Sequence, residues 1–128
     1  MPKKININRI LIASDHAGFN LKEKIKKFLL KKGKKVLDLG TKNNNSVDYP
    51  DFAHLVAKKL KRNNYQFGVL ICGSGVGMSI TANKFSKVRA AHVHNIISAI
   101  NSKDHNDSNI ICLGSWINTD QTNLKLLE

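Results

Sequence analysis

Acidic residues are scarce in this chain. Nine Asp and Glu stand against 21 Lys and Arg, a formal net charge of +12 over 128 residues. Such a surplus suits nucleic acid, an acidic surface or small anions. Zinc-finger spacing and RNA-recognition signatures are absent as well. The lysines crowd Lys22 to Lys35 and Lys58 to Arg62, on the polar faces and C-terminal ends of expected helices. There they complement the helix dipole and read as solvated faces. Nucleic acid is therefore not an expected partner, while a phosphorylated small molecule stays open. Long apolar runs are also missing: none approaches the ~20 residues of a membrane span. The basic start MPKKININR lacks the apolar segment of a secretory signal, and no membrane partner is expected. Cysteine is rare, and Cys72 and Cys112 sit in separate apolar runs without metal-ligand spacing. That argues against a disulfide framework and for a reducing, cytoplasmic location.

What is present is enough for one core. A hydrophobic fraction of 41% over 128 residues suits one globular domain and leaves no room for two. Arg9 to Ser14, Lys35 to Leu39, Phe67 to Ile71, Val88 to Val93 and Asn109 to Leu113 read as strands. Between them lie helical patterns. Asn20 to Lys32 carries the stripe Leu21, Ile25, Phe28 and Leu29, with Asn20 as cap and Gly33 as stop. Pro50 to about Arg62 turns Phe52, Leu55, Val56 and Leu60 inward, Gly77 to Phe85 follows, then Ile96 to Lys103, and a last run capped by Asn118 or Thr119. The strands are continuous apolar runs without internal repeat. That pattern predicts a three-layer α/β/α, Rossmann-like domain with a five-stranded parallel sheet.

Ligands of such sheets bind beyond the carboxyl ends of the strands. The residues there are Asp15, His16, Ala17 and Gly18 after the first strand, Cys72 and a glycine loop after the third, His94 and Asn95 after the fourth, and Gly114 and Ser115 after the fifth. The loop, CGSGVGMSI, has glycines at 73, 75 and 77. No Gly-Lys-Ser/Thr follows, so it is not a Walker A loop, and Met78 stands where a dinucleotide fingerprint needs its third glycine. Its bare backbone lets the amides of Ser74, Gly75, Val76 and Gly77 face an anion or a forming oxyanion. Cys72 at its mouth is either a small buried hydrophobe or a thiol activated by that position, and position favours the second. Cys112, amid apolar neighbours, reads as packing. His16 has no second histidine at zinc spacing, and Asp15 and His16 read equally as cap and turn residues. His92 and His94 alternate along the fourth strand, and His54 lies beside a core stripe. His105 and Asn106, in KDHNDSN, fall between the fourth helix and the fifth strand, at the opposite end of the sheet. Some eight helical residues, roughly 12 Å, separate that end from the rim. Topology alone makes them turn and cap residues rather than parts of a partner subunit's site.

SDHAGF (14–19), DYPDFA (48–53), CGSGVGMSITANKF (72–85), RAA (89–91) and HNDSN (105–109) stand in the order and spacing of one family. From about Arg9 to Ser115 the chain resembles the ribose-5-phosphate isomerase B family, which includes galactose-6-phosphate and allose-6-phosphate isomerases. The resemblance implies an aldose–ketose isomerase of the pentose phosphate pathway, without metal or organic cofactor, acting on a sugar phosphate through a cis-enediolate. It implies that Cys72 is the base, that Gly73, Ser74, Gly75, Val76 and Gly77 hold the enediolate oxygens, and that the Ser74 hydroxyl assists. It further implies that Asp15, His16, Tyr49 and Asn106 contact substrate. His105 then serves ring opening, from across a homodimer interface, which reverses the topological reading.

Two features depart from the family pattern. Trp116 stands where the family usually has an arginine, and the chain is expected to be a single domain, 1–128, lacking the family's arginine-bearing C-terminal segment. Each guanidinium–phosphate bond that is missing would cost ~1.5–3 kcal/mol. Two other readings stay open: a hexose-6-phosphate isomerase, and a catalytically impaired sugar-phosphate- or RNA-binding remnant.

Overall fold

The structure is a computed structural model that describes residues 9–62, 67–95, 98 and 108–116. Five strands form one sheet: β1 (Arg9–Ser14), β2 (Lys35–Asp38), β3 (Phe67–Cys72), β4 (Ala90–His92) and β5 (Ile110–Gly114). Their order across the sheet is β2-β1-β3-β5-β4, and every neighbouring pair is parallel. The expected architecture holds. Strand side chains alternate between two apolar clusters, as a period of two requires. Ile10, Ile12, Val69, Ile71, Ile111 and Leu113 meet Leu21, Ile25 and Leu29 of α1 (Phe19–Lys31) on one face. Leu11, Ala13, Leu70, Cys72, Ile110 and Cys112 meet Ala53, Val56 and Ala57 of α2 (Tyr49–Arg62) and Met78 and Ala82 of α3 (Val76–Ala82) on the other. Each fully buried Leu or Ile contributes about 1.5–3 kcal/mol by leaving water.

This arrangement positions the site. β1 and β3 are neighbours, yet the chain leaves β1 for α1 on one face and leaves β3 for α3 on the other. The two departing loops split apart and open a crevice at the carboxyl ends of the central strands, where doubly wound sheets bind ligands.

Several local expectations need correction. Asn20 is not the cap of α1. Asp15 accepts the Gly18 N–H through Oδ1 (3.1 Å) and closes a 3-10 turn, His16–Gly18, and α1 starts directly behind it at Phe19. Leu55 does not face inward. It is 46% exposed, because the buried face of α2 is built from Ala53, Val56 and Ala57. β4 is shorter than its apolar run, because only Ala90 to His92 pair with β5. Asn83 takes over at its start, exchanging two 2.8 Å bonds with the Ala90 backbone. Lys22 is not solvated. Its side chain is 1% exposed, and Nζ bonds Asp38 at 2.6 Å and Glu23 at 3.0 Å. The fourth helix and the C-terminal run expected from the sequence lie outside the described residues, as do His105 and Asn106.

Candidate active site at the carboxyl rim

β1 and β3 run in register, with Ser14 opposite Ile71. One step further on, Asp15 and Cys72 enter the crevice, and the Asp15 N–H donates to the Ile71 carbonyl at 3.1 Å. β5 closes the other side. The Ser115 N–H donates to the Cys72 carbonyl and the Trp116 N–H to the Gly73 carbonyl, both at 2.9 Å. The Ser115 hydroxyl donates to the Ala17 carbonyl at 2.8 Å. Backbone bonds and this one hydroxyl thus tie the three loops together.

Four side chains named from the sequence share one device, in that each accepts a backbone N–H. Asp15 Oδ1 takes that of Gly18 at 3.1 Å, His16 Nδ1 that of Val47 at 3.1 Å, Cys72 Sγ that of Gly75 at 3.1 Å, and Ser74 Oγ that of Val76 at 3.2 Å. An imidazole that accepts at Nδ1 carries its proton on Nε2 when neutral, so His16 has a donor left for a ligand oxygen. Cys72 is buried, and its sulfur is aligned by an amide of the loop.

The loop itself differs from its expected form. Two of its four amides, those of Gly75 and Val76, are used internally on Cys72 and Ser74. The Ser74 and Gly77 amides have no partner among the described residues. Gly75 sits at φ +83°, in the left-handed region, and a Cβ there would come within 2.7 Å of the His92 ring. Glycine is therefore required on both counts. A Cβ at Gly77 would lie 2.6 Å from the Tyr49 ring, which places Tyr49 against the loop.

The fourth strand contributes a different histidine from the one expected. β4 ends at His92, so His94 lies past it, exposed. Asn95 is a cap, its Oδ1 accepting the Ser98 N–H at 2.7 Å. His92 instead abuts Gly75, and its Nε2 has no hydrogen-bond partner among the described residues. Burial lowers its pKa, as does His94, whose ring is 5.8 Å away, against a smaller opposing effect of the Ser74 backbone. The sequence signal for His92 is its period-two placement on the last paired residue of the strand. Cys112 packs mid-strand as expected, and burial pushes its thiol pKa far up. Among the described residues no cluster of His, Cys, Asp and Glu has the geometry to hold a metal ion, and no helix is long and apolar enough to cross a membrane.

A model of the family described as Ribose/Galactose Isomerase matches residues 10–128. Ribose-5-phosphate isomerase B of Escherichia coli is 41% identical over 111 residues, covering 87% of this chain and 74% of that protein. The solved ribose-5-phosphate isomerase B of Clostridium thermocellum is 45% identical with a TM-score of 0.91, covering 93% of this chain and 80% of its own. That of Mycoplasma genitalium, solved with bound ribulose-5-phosphate, is 42% identical with a TM-score of 0.90, covering 95% and 82%.

Proposed function

The chain belongs to the ribose/galactose isomerase family, and on that premise we propose that it interconverts ribose 5-phosphate and ribulose 5-phosphate. The observation that carries this reading is the Cys72 sulfur, held at the crevice by the Gly75 N–H in a fold whose relative was solved with ribulose-5-phosphate bound.

The reaction moves one proton from C2 to C1 and a second from O2 to O1. Cys72, as thiolate, takes the proton from C2 of the open-chain aldose, and the C–H electron pair forms the C1–C2 double bond as the carbonyl oxygen gains charge. Returning the proton to C1 while the O2 proton passes to O1 turns C2–O into the carbonyl and leaves the ketose. A carbon acid of this kind needs a base in contact and a stabilised oxyanion. The Ser74 and Gly77 amides and the Ser74 hydroxyl supply the second, within the loop 73–77. Gly73 brings bare backbone to the base. Asp15, His16 and Tyr49 line the remaining rim, with His16 Nε2 as a donor to the phosphate. His105 serves ring opening and Asn106 a substrate hydroxyl.

We assign His105 and Asn106 to a partner subunit in a homodimer, since their segment precedes β5, whose first residue, Ile110, pairs with Gly68 at the opposite end of the sheet from Cys72. Val76 and Ile80, exposed one turn apart on α3, offer apolar surface for it. An active monomer in sedimentation would overturn the shared site. The cytoplasm is the setting we assign, where two free thiols stay reduced.

The test is a coupled assay on purified protein, with deuterium exchange at substrate C2 as second readout. Turnover and exchange are expected with ribose 5-phosphate. Faster turnover of galactose or allose 6-phosphate would transfer the assignment to hexose phosphates, and binding without exchange would remove the isomerase reading.

A further inference from the structure

Trp116 is the chain's one tryptophan and the most exposed of its large apolar side chains among the described residues, at 77%. Its backbone is nevertheless tightly held. The Trp116 N–H bonds the Gly73 carbonyl and the preceding Ser115 bonds the Cys72 carbonyl, while the Ser115 hydroxyl reaches across to Ala17. The indole therefore projects from a fixed point. A Cβ on residue 73 would overlap its six-membered ring, so the ring lies against bare backbone one residue from Cys72. At the other end of the loop the Tyr49 ring lies on Gly77 in the same way. Two rings thus bracket the loop, one at Gly73 and one at Gly77.

From this placement we infer that Trp116 is a substrate-contacting, specificity-determining wall of the site, covering the C–H face of the sugar while the loop amides take its oxygens. This rests on the isomerase reading above. A sugar carries both kinds of surface. Amides and hydroxyls satisfy its oxygens but leave its carbon-bound hydrogens against water. A rigid ring with two side-chain torsions covers that face at small entropic cost. Where the family resemblance leads to an arginine, this chain therefore grips the carbon skeleton by stacking instead of gripping an anion by charge.

A single tryptophan makes the test direct. Titration of the native protein with ribulose 5-phosphate is expected to change the tryptophan emission in a saturable way and to shield it from acrylamide, while inorganic phosphate does neither. Trp116→Ala is expected to raise KM up to about tenfold, the scale of one aromatic contact, with kcat within about twofold. Trp116→Phe should recover most of the affinity. Turnover with an indole that ignores saturating substrate, or an alanine variant with native KM, overturns the assignment alone. An emission response without turnover upholds the contact and removes the isomerase reading. Neither response nor turnover overturns both.

Discussion

Two polar regions of this molecule are satisfied in opposite ways. At the edge of the sheet, Lys22 and Lys26 share the carboxylates of Asp38 and Glu23 at 2.6 to 3.4 Å. There charge answers charge, and side chains fill one another's needs. At the carboxyl rim, Asp15, His16, Cys72 and Ser74 form no such pairs with one another. Each leans on one backbone N–H, which fixes its direction and uses one lone pair. A group satisfied by a charged neighbour contributes to stability and has little left for a ligand. A group held by one amide is oriented and still has capacity to react. Substitutions at the rim should therefore remove activity and spare the fold, and substitutions at the edge should do the reverse.

Cys72→Ala is the largest test of that contrast. Loss of a general base is expected to lower kcat by about 10³-fold in the coupled assay, far more than the loss of about 1 kcal/mol in stability expected for removing the sulfur from the core. Wild-type turnover in this variant would break the assignment of the base. Gly75→Ala should come next. The left-handed backbone alone costs about 1–2 kcal/mol, and the new methyl meets His92 and the Leu113 carbonyl carbon. Displacing the amide that aligns Sγ should lower kcat about 10- to 100-fold, more than the stability loss explains. A variant that is merely less stable, with native kcat, would show that the Gly75 N–H does not orient the sulfur.

The parts of this molecule that are legible from sequence are those encoded locally. β1, β3 and β5 lie at the centre of the sheet, so each is an uninterrupted apolar run, and the Cys72 loop follows from the end of such a run. What cannot be read depends on partners distant in sequence. Lys22 looks like any other lysine until Asp38, 16 residues away, is brought beside it by the pairing of β1 with β2. Asn20 looks like a cap because the 3-10 turn ahead of α1 is set by a bond between Asp15 and Gly18 and by the fit of Gly18 against Ile71. The loop amides all look available, because nothing in CGSGVGM says that Cys72 and Ser74 fold back to consume two of them. His94 looks like the rim residue instead of His92 because the length of β4 is decided by its pairing with β5, not by its own hydrophobicity. The roles of His105 and Asn106 rest on family resemblance alone.

Asp38→Asn tests the edge. Burial disfavours the Asp38 carboxylate, but hydrogen bonds from Lys22 and Lys26 and from the Gly40 N–H outweigh it and hold its pKa below the usual 3.8. The sign follows. A carboxyl whose folded pKa is depressed stabilises the protein at pH values above its unfolded pKa and loses that contribution as pH falls through the folded value. Removing the charge leaves Lys22 buried with only Glu23 and is expected to cost about 2 kcal/mol at neutral pH. That figure lies below the range for fully buried pairs, because Asp38 is 24% exposed. Denaturant unfolding of parent and variant should show a gap that is constant near neutrality and narrows below about pH 4. KM for the sugar phosphate should not move. A gap that widens on acidification would contradict the paired state of Asp38.

The smallest effect belongs to the second cysteine, and it sharpens the contrast because residue type is held constant. Cys112 lies opposite Leu70, one pairing position from the Leu113–Ile71 pair and two from Cys72. It is also buried, in the same apolar cluster as Cys72. It differs in lying mid-strand, where no loop amide reaches it, and burial holds its thiol protonated at neutral pH. Cys112→Ala should cost about 1 kcal/mol for the atom removed from the core and leave kcat and KM at native values. Conversely, Cys112 cannot replace the base in Cys72→Ala, because a thiol that stays protonated takes no proton from carbon. A fall in kcat beyond about threefold in Cys112→Ala, with the fold intact by circular dichroism, would mean that burial alone does not separate the two thiols.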